Sequence, residues 1–185
     1  MTTTRPERLS PELVAEVQSW LDQDPDEATR TELSDVLVRA QSGEAEAIAA
    51  VESAFAGPLT FGTGPSRMNR VVVQRAAAGF ASWLRSHSSR GGTVVIGFDA
   101  RHNSDVFARD TAEIMAGAGF HALLADSPIP TPVTAFAIKH YGAVAGVMVT
   151  ASHNPPADNG YKVYLGDGSQ IVPPTDAEIA HEIEV

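Results

Sequence analysis

The chain has 185 residues, of which 43% are apolar, and a formal net charge of -10. The acidic excess lies mostly in the first 57 residues. It argues against nucleic acid and anionic lipid as partners, because both are bound by Lys and Arg that neutralise phosphates. The absence of cysteine excludes a disulfide framework, a thiolate metal site and a cysteine nucleophile.

Residues 1–57 predict a helical N-terminal extension. Ser10 and Pro11 offer an N-cap followed by a proline in the first turn, and Asp24-Pro25 repeats that start signal. Gly43 closes the second predicted helix, and Gly57-Pro58 closes the third. The apolar residues at helical spacing are Leu13, Val17, Trp20 and Leu21, then Leu33, Val36 and Leu37, then Ile48, Val51 and Phe55.

From residue 58 onward, short β-rich runs alternate with helical stretches, which is the pattern of an α/β layer structure. The predicted strands are residues 93–98, 121–125, 143–149 and 161–165, and the predicted helices between them are 69–86, 104–118 and 131–141. The strands are almost continuously apolar, which predicts a sheet covered on both faces. We therefore predict a mixed, mostly parallel sheet of four strands with helices on both faces, forming one unit over residues 58–185.

Membrane insertion is not expected. No stretch of the sequence approaches the roughly 18 to 20 uninterrupted apolar residues that a membrane helix needs. The first residues, Met1 to Arg5, lack the apolar run of a signal peptide. We expect a cytoplasmic protein.

The loop after the first predicted strand, Asp99-Ala100-Arg101-His102-Asn103-Ser104, carries polar groups that need an explanation. Ser104 is expected to cap the following helix. The guanidinium of Arg101 could hold a phosphate or carboxylate with paired donors, or it could form an ion pair with Asp99.

The loop from Thr150 to Lys162 follows an apolar strand and is rich in hydroxyl, imidazole and amide groups. Two prolines stiffen it, and Gly160 is expected to permit an unusual backbone conformation. A hydrolase role for Ser152 is disfavoured, because a Gly-x-Ser-x-Gly elbow is missing and the adjacent His153 is poorly placed to be its base. The histidines of the chain also lack the spacing of a metal site.

Four segments together resemble the α-D-phosphohexomutases, the family that includes phosphoglucomutase and phosphomannomutase. Thr150-Ala151-Ser152-His153-Asn154-Pro155 looks like the phosphoserine signature of that family, and Asn159-Gly160-Tyr161-Lys162 is similar to its Asn-Gly-x-Lys element. Asp99-Ala100-Arg101 with Ser104 and the turn Pro130-Thr131-Pro132 occur in the expected order. The resemblance covers roughly residues 58–185, the first catalytic domain of such enzymes.

The resemblance implies that Ser152 carries a phosphoryl group and, through it, binds Mg²⁺. It also implies that Lys162 takes part in general acid–base chemistry, although an ordinary strand-edge lysine is the alternative. Arg101 and His153 would stabilise the phosphate loop or the substrate, and Asn154 would join Ser152, His153 and Lys162 in binding it. The implied reaction interconverts hexose 1-phosphate and hexose 6-phosphate, with glucose or mannose as the sugar, through a sugar 1,6-bisphosphate that also acts as activator.

The sequence departs from this family in two ways. The carboxylate-rich Mg²⁺ loop and the sugar-selecting and phosphate-binding loops of the family belong to later domains that this sequence lacks, and Asp167-Gly168-Ser169 is predicted to be only a β-turn. In addition, an arginine-containing segment is missing after Phe61-Gly62-Thr63. We therefore expect the chain alone to be inactive. The alternative is a stand-alone phosphosugar-binding or regulatory module without mutase activity. The sequence does not choose among glucose, mannose and pentose phosphates, and it does not determine the oligomeric state.

Overall fold

A computed structural model describes residues 8–55, 68–88, 91–155 and 158–184. The described residues form two compact units, one of residues 8–55 with 69–71 and the other of residues 68 and 72–184. The predicted boundary at residue 57, the helix end at Gly57-Pro58 and the missing segment after Thr63 lie outside the described residues, so they stay predictions.

The first unit consists of three helices, α1 (Pro11–Gln23), α2 (Glu27–Gln41) and α3 (Ala45–Ala54). Helix α1 begins as predicted, because the Ser10 hydroxyl accepts the backbone N–H of Leu13 at 3.2 Å. Helix α2 begins later than Asp24-Pro25 predicts, since its N-cap is Asp26. The hydrophobic core of this unit consists predominantly of predicted apolar residues: Val17, Leu21, Leu37, Ala40, Ala47, Ile48 and Val51.

The second unit alternates helices and strands. In chain order its elements are α4 (Arg70–His87, which belongs to this unit from Val72 onward), β1 (Thr93–Phe98), α5 (Ser104–Gly117), β2 (His121–Leu124), α6 (Thr131–His140), β3 (Ala145–Val149), β4 (Tyr161–Leu165) and α7 (Thr175–Glu184). Both β1 and β4 have their predicted bounds, and the other predicted elements differ by one or two residues at an end.

The four strands of the described residues form one sheet in the order β2-β1-β3-β4. Strand β1 pairs in parallel with β2 and β3, whereas β4 runs antiparallel to β3. The prediction of a mixed, mostly parallel α/β sheet is confirmed.

Helices cover both faces of this sheet. On one face, Val94 and Ile96 of β1 belong to a cluster with Phe80 of α4, Phe107 of α5 and Ile179 of α7. On the other face, Val95, Met148 and Tyr164 pack with Ile138 of α6. This alternation is the two-residue period of a strand with both sides buried.

Helix α7 was not among the predicted elements. It is short, and Ile179 belongs to the core cluster described above, with Ile183 packed against it. Two polar pairs add contacts with α4: Glu178 accepts the indole N–H of Trp83 at 3.0 Å, and Glu182 accepts the hydroxyl of Ser82 at 2.6 Å. The local signal is limited to the two isoleucines four residues apart, and the long-range polar pairs leave no mark on it. In the residues that the structure describes, no helix is both long and apolar enough to cross a membrane.

Candidate active site

The direction of the strands brings three polar loops to one edge of the sheet. The parallel strands β1 and β3 both end there, with Phe98 paired to Val149, and the antiparallel strand β4 begins there, with Tyr161 paired to Val149. Backbone hydrogen bonds continue beyond the strands, from Asp99 N to Val149 O at 3.2 Å and from Thr150 N to the Gly160 carbonyl at 3.0 Å. The segments that follow β1, follow β3 and precede β4 therefore meet.

Ser152 is exposed at this edge and has a left-handed backbone, with φ of 54°. A non-glycine residue in that region costs on the order of 1 to 3 kcal/mol and persists only when its surroundings enforce it. Its backbone N–H donates to the hydroxyl oxygen of Thr150 at 3.0 Å. The reactive hydroxyl expected from the sequence is thus presented by a strained and anchored residue.

The side chain of Lys162 reaches the Ser152 hydroxyl. Its Nζ donates to Ser152 Oγ at 2.5 Å. Lys162 lies on β4, opposite Met148 of β3, and its side chain is half-buried. A strand residue therefore places the ammonium against the exposed hydroxyl oxygen of Ser152.

Arg101 uses all five of its guanidinium N–H donors inside the loops. Its Nε, Nη1 and Nη2 donate to Oδ2 of Asp99 and to the carbonyl oxygens of Ser152, Asn154, Pro155 and Asp158. Its side chain is only 12% exposed. The expectation that Arg101 holds a phosphate or carboxylate of a ligand does not fit this geometry, because no donor is left; the open alternative, an ion pair with Asp99, is present at 3.0 Å.

The carboxylate of Asp99 lies at the centre of these contacts. It accepts the backbone N–H and Nε of Arg101 at 3.1 and 3.0 Å and the Thr150 hydroxyl at 2.6 Å, and the Ser104 hydroxyl lies at 2.8 Å. Burial acts to raise the pKa of Asp99, but the hydrogen bonds from Thr150, Ser104 and Arg101 and the charge of Arg101 outweigh it and hold the pKa below its usual value. Asp99 is therefore ionised at neutral pH.

Ser104 does not cap helix α5, contrary to the prediction. The N-cap is Asn103, in the left-handed region with φ of 58°, and the buried hydroxyl of Ser104 lies 2.9 Å from Asn159 Oδ1. Asn159 in turn donates to the His102 carbonyl at 2.6 Å. Ser104 thus ties the loop after β1 to the loop before β4.

Gly160 is needed for a different reason from the one predicted. Its φ lies outside the left-handed region, but a Cβ there would lie 2.8 Å from the carbonyl oxygen of Thr150. The residue therefore permits close approach of two backbones, and an unusual backbone angle is not involved.

Asn154 and His153 occupy different positions in the loop. The amide of Asn154 donates to the Asp158 carboxylate at 3.2 Å, so this side chain is engaged within the loop. The His153 side chain is exposed beside Ser152. Of the predicted ligand-binding residues, Ser152 and His153 are exposed at this edge of the sheet, and Lys162 donates to the Ser152 hydroxyl.

Within the described residues, no group of three or more His, Asp or Glu side chains could hold a metal ion. Near Ser152, Asp99 is occupied by its hydrogen bonds, and Asp158 accepts from Asn154. The residues present do not form a Mg²⁺ site by themselves, since Mg²⁺ is bound through carboxylates and phosphates.

Sequence reasoning named Asp99 only as a possible ion-pair partner of Arg101 and assigned no role to Thr150, although the Thr150 hydroxyl donates to Asp99 and accepts the Ser152 N–H. The spacing of Asp99 and Arg101 within one loop indicated that these two side chains could pair. It could not indicate that the Thr150 hydroxyl lies within hydrogen-bond distance of Asp99.

Comparison with known proteins gives a consistent result. Residues 60–185 match the model of the phosphoglucomutase/phosphomannomutase α/β/α domain I. A Haemophilus influenzae protein named as a probable phosphomannomutase is 59% identical over 120 residues, which are 63% of this chain and 24% of that protein. A Schizosaccharomyces pombe protein named as a probable phosphoribomutase is 41% identical over 187 residues, covering 95% of this chain and 31% of that protein.

A solved structure agrees. The crystal structure of a Thermus thermophilus protein, described as a candidate phosphomannomutase, has a TM-score of 0.65 and 33% identity over 69% of this chain and 30% of its own. The chain thus spans only about a quarter to a third of the length of these relatives. The match over residues 60–185 places the chain in the phosphoglucomutase/phosphomannomutase family, as its domain I.

Proposed function

We propose that this chain carries the reactive serine of a sugar-phosphate mutase that interconverts hexose 1-phosphate and hexose 6-phosphate. The observation that carries the proposal is the 2.5 Å contact between Lys162 Nζ and the exposed Ser152 Oγ. Ser152 carries the phosphoryl group before and after each reaction cycle, and a sugar 1,6-bisphosphate is the intermediate between the two halves.

In the first half, a hydroxyl of the sugar monophosphate attacks the phosphorus on Ser152. A new bond forms between phosphorus and the sugar oxygen, and the bond between phosphorus and Ser152 Oγ breaks. The sugar hydroxyl releases one proton to water and Oγ gains one from Lys162, so the protons balance. In the second half, the other phosphoryl group of the bisphosphate returns to Oγ by the reverse of these steps.

Lys162 acts on the atom that leaves. Because its ammonium donates to Oγ, it can supply the proton as the bond to phosphorus breaks and recover it when Ser152 is phosphorylated again. His153, which is exposed beside Ser152, is proposed to contact the phosphoryl oxygens or the sugar.

The phosphorylated serine would bring a charge of about -1.5 to -2 to the edge of the sheet. Lys162 offsets part of it, whereas the guanidinium of Arg101 is occupied beneath the loop. Mg²⁺ would supply further charge neutralisation, with a phosphoryl oxygen on Ser152 as the ligand from this chain and carboxylates from elsewhere. For that reason we propose that the chain alone has negligible turnover; a phosphosugar-binding or regulatory module is the alternative.

A pentose phosphate is a second candidate substrate. The match to the probable phosphoribomutase covers 95% of this chain, whereas the match to the probable phosphomannomutase covers 63%. The former match therefore takes in most of the N-terminal helical unit as well. Assays should include ribose phosphates beside glucose and mannose phosphates.

A chimera tests the proposal directly. The segment of the Haemophilus influenzae protein equivalent to residues 68–185 would be replaced by those residues of this chain, so that the relative keeps its own sequence before them. Mutase activity would be followed with each sugar phosphate in a coupled assay. We expect an active chimera whose activity is lost on Ser152→Ala, while circular dichroism and thermal melting stay unchanged. The isolated chain should show negligible turnover in the same assay.

A folded chimera without activity on any of these sugar phosphates contradicts the proposal, provided that the unmodified relative is active in the same assay. Retention of full activity in the Ser152→Ala chimera contradicts the role of Ser152.

A further inference from the structure

We propose that Asp99 is a positioning residue for Ser152: through Thr150 and Arg101, its carboxylate holds Ser152 in the left-handed conformation that presents Oγ for phosphoryl transfer. This inference rests on the proposed function. Among the hydrogen bonds of the described residues, the Asp99 carboxylate is joined to Arg101, Ser104 and Thr150, so it acts on Ser152 through Thr150 and Arg101.

The first path runs through Thr150. Its hydroxyl donates to Oδ2 of Asp99 at 2.6 Å and accepts the Ser152 N–H at 3.0 Å. A hydroxyl has a single proton, and the carboxylate takes it. The oxygen lone pairs of Thr150 are thereby left to face the Ser152 amide, so the charge on Asp99 sets the direction of both hydrogen bonds.

The second path runs through Arg101. Asp99 accepts both the backbone N–H and Nε of Arg101, at 3.1 and 3.0 Å. The bond from the backbone N–H orients the carboxylate, and the bond from Nε orients the guanidinium. The four remaining N–H groups of the guanidinium donate to loop carbonyls, that of Ser152 among them at 2.9 Å. The Ser152 residue is thus held at its N–H through Thr150 and at its carbonyl through Arg101.

The replacement Asp99→Asn makes this dependence testable. If the new amide nitrogen takes the place of Oδ2, it faces the Nε–H of Arg101. If it takes the place of Oδ1, it faces the backbone N–H of Arg101. Either orientation sets a donor against a donor while preserving the size of the side chain, so the variant removes the function of the carboxylate without creating a cavity.

Four variants of this chain form the experiment. Asp99→Asn and Thr150→Val interrupt the path, and Thr150→Ser keeps the hydroxyl. Asp24→Asn is the matched control, since Asp24 is a buried carboxylate in the other unit that accepts a backbone N–H and a threonine hydroxyl.

The first readout is hydrogen exchange of the Ser152 amide, measured by NMR. We expect exchange about tenfold faster in Asp99→Asn and Thr150→Val, the effect of losing one hydrogen bond, and no change in Thr150→Ser or Asp24→Asn. The second readout is the rate at which glucose 1,6-bisphosphate phosphorylates Ser152, followed by mass spectrometry at several concentrations.

We expect the maximal rate of phosphorylation to fall on the order of a hundredfold in Asp99→Asn, with little change in the concentration that gives half the maximal rate. A role limited to stability would lower the melting temperature and leave both readouts of the folded protein unchanged. Unchanged amide exchange in Asp99→Asn overturns the inference whether or not the chain is phosphorylated. Failure of the wild-type chain to be phosphorylated, with the expected exchange pattern intact, counts against the proposed function instead.

Discussion

Two carboxylates, the buried Asp24 of the helical unit and the half-buried Asp99 of the α/β unit, accept similar hydrogen bonds over very different stretches of sequence. Asp24 accepts the backbone N–H of Asp26 at 2.9 Å and the hydroxyl of Thr29 at 2.6 Å, so its partners follow within five residues. Asp99 accepts the hydroxyl of Thr150, 51 residues away, at the same 2.6 Å.

The difference separates a structural carboxylate from one that serves a site. The bonds of Asp24 fix the corner where helix α2 begins, and no residue there needs an unfavourable backbone. The bonds of Asp99 and Arg101 join loops from two strands and enforce the left-handed Ser152. Strain held in place by long-range contacts is typical of functional sites.

The largest loss of phosphoryl transfer at the α/β site is expected for Lys162→Met. Removing the proton donor should lower the rate of phosphoryl transfer at Ser152 by about 10² to 10⁴, the usual contribution of general acid–base catalysis. The folded structure should persist, because the Lys162 side chain is only half-buried. The control is Lys139→Met, at an exposed position of α6, which should leave the rate unchanged; an equal loss in both variants would contradict a specific role for Lys162.

A smaller loss is expected for Arg101→Lys, which keeps the charge and removes the five-donor fork. We expect phosphoryl transfer to fall by about ten- to a hundredfold, because the loop carbonyls lose the planar group that orders them. Arg39→Lys is the control, since Arg39 forms an exposed ion pair with Glu44 at 3.1 Å in the helical unit. Thermal melting should show whether either variant loses stability. Full activity of Arg101→Lys would contradict the need for the planar guanidinium, because its charge alone would then suffice.

Gly160→Ala tests the close approach of the backbones. Its Cβ would lie 2.8 Å from the Thr150 carbonyl oxygen. We expect a loss of about 1 to 3 kcal/mol in the free energy of unfolding of the α/β unit, measured with urea, as for other overpacked sites. Gly117→Ala in helix α5 meets no atom within 4 Å and should be neutral or slightly stabilising, so equal destabilisation of both variants would contradict this explanation.

The smallest effect concerns pH. The folded pKa of Asp99 lies below the ordinary value of 3.8, so its contribution to stability is fully present above that value. The contribution is lost as the pH falls through the lowered pKa, because the unfolded state then binds the proton more readily. The difference in melting temperature between wild type and Asp99→Asn should therefore shrink on acidification below 3.8. A melting-temperature difference that stays constant on acidification would contradict the lowered pKa of Asp99.

Much of the fold could be predicted from local patterns. The bounds of β1 and β4 follow from apolar runs between turn residues, and the start of α1 follows from the Ser10-Pro11 signal. Helix α7 escaped prediction because its contacts with Trp83 and Ser82 join segments distant in sequence. Local pattern also suggested that Ser104 caps α5, whereas its hydroxyl turns towards Asp99 and Asn159.

The site shows the same division. The order of the motifs identified Ser152 and Lys162 as candidate site residues. Their 2.5 Å contact follows from the antiparallel pairing of β3 and β4. The use of all five guanidinium N–H groups of Arg101, and the position of Asp99 among these contacts, could not be predicted. They depend on which backbone carbonyls face the guanidinium once the loops have met.

The central claim is that Ser152 Oγ is the atom that takes the phosphoryl group. The most direct measurement is tandem mass spectrometry of the purified chain after incubation with glucose 1,6-bisphosphate and Mg²⁺, beside Ser152→Ala and Lys162→Met. We predict one phosphoryl group, located on Ser152 in the wild type, slowed in Lys162→Met and absent from Ser152→Ala. A phosphoryl group on another residue, or one that persists in Ser152→Ala, would contradict the account.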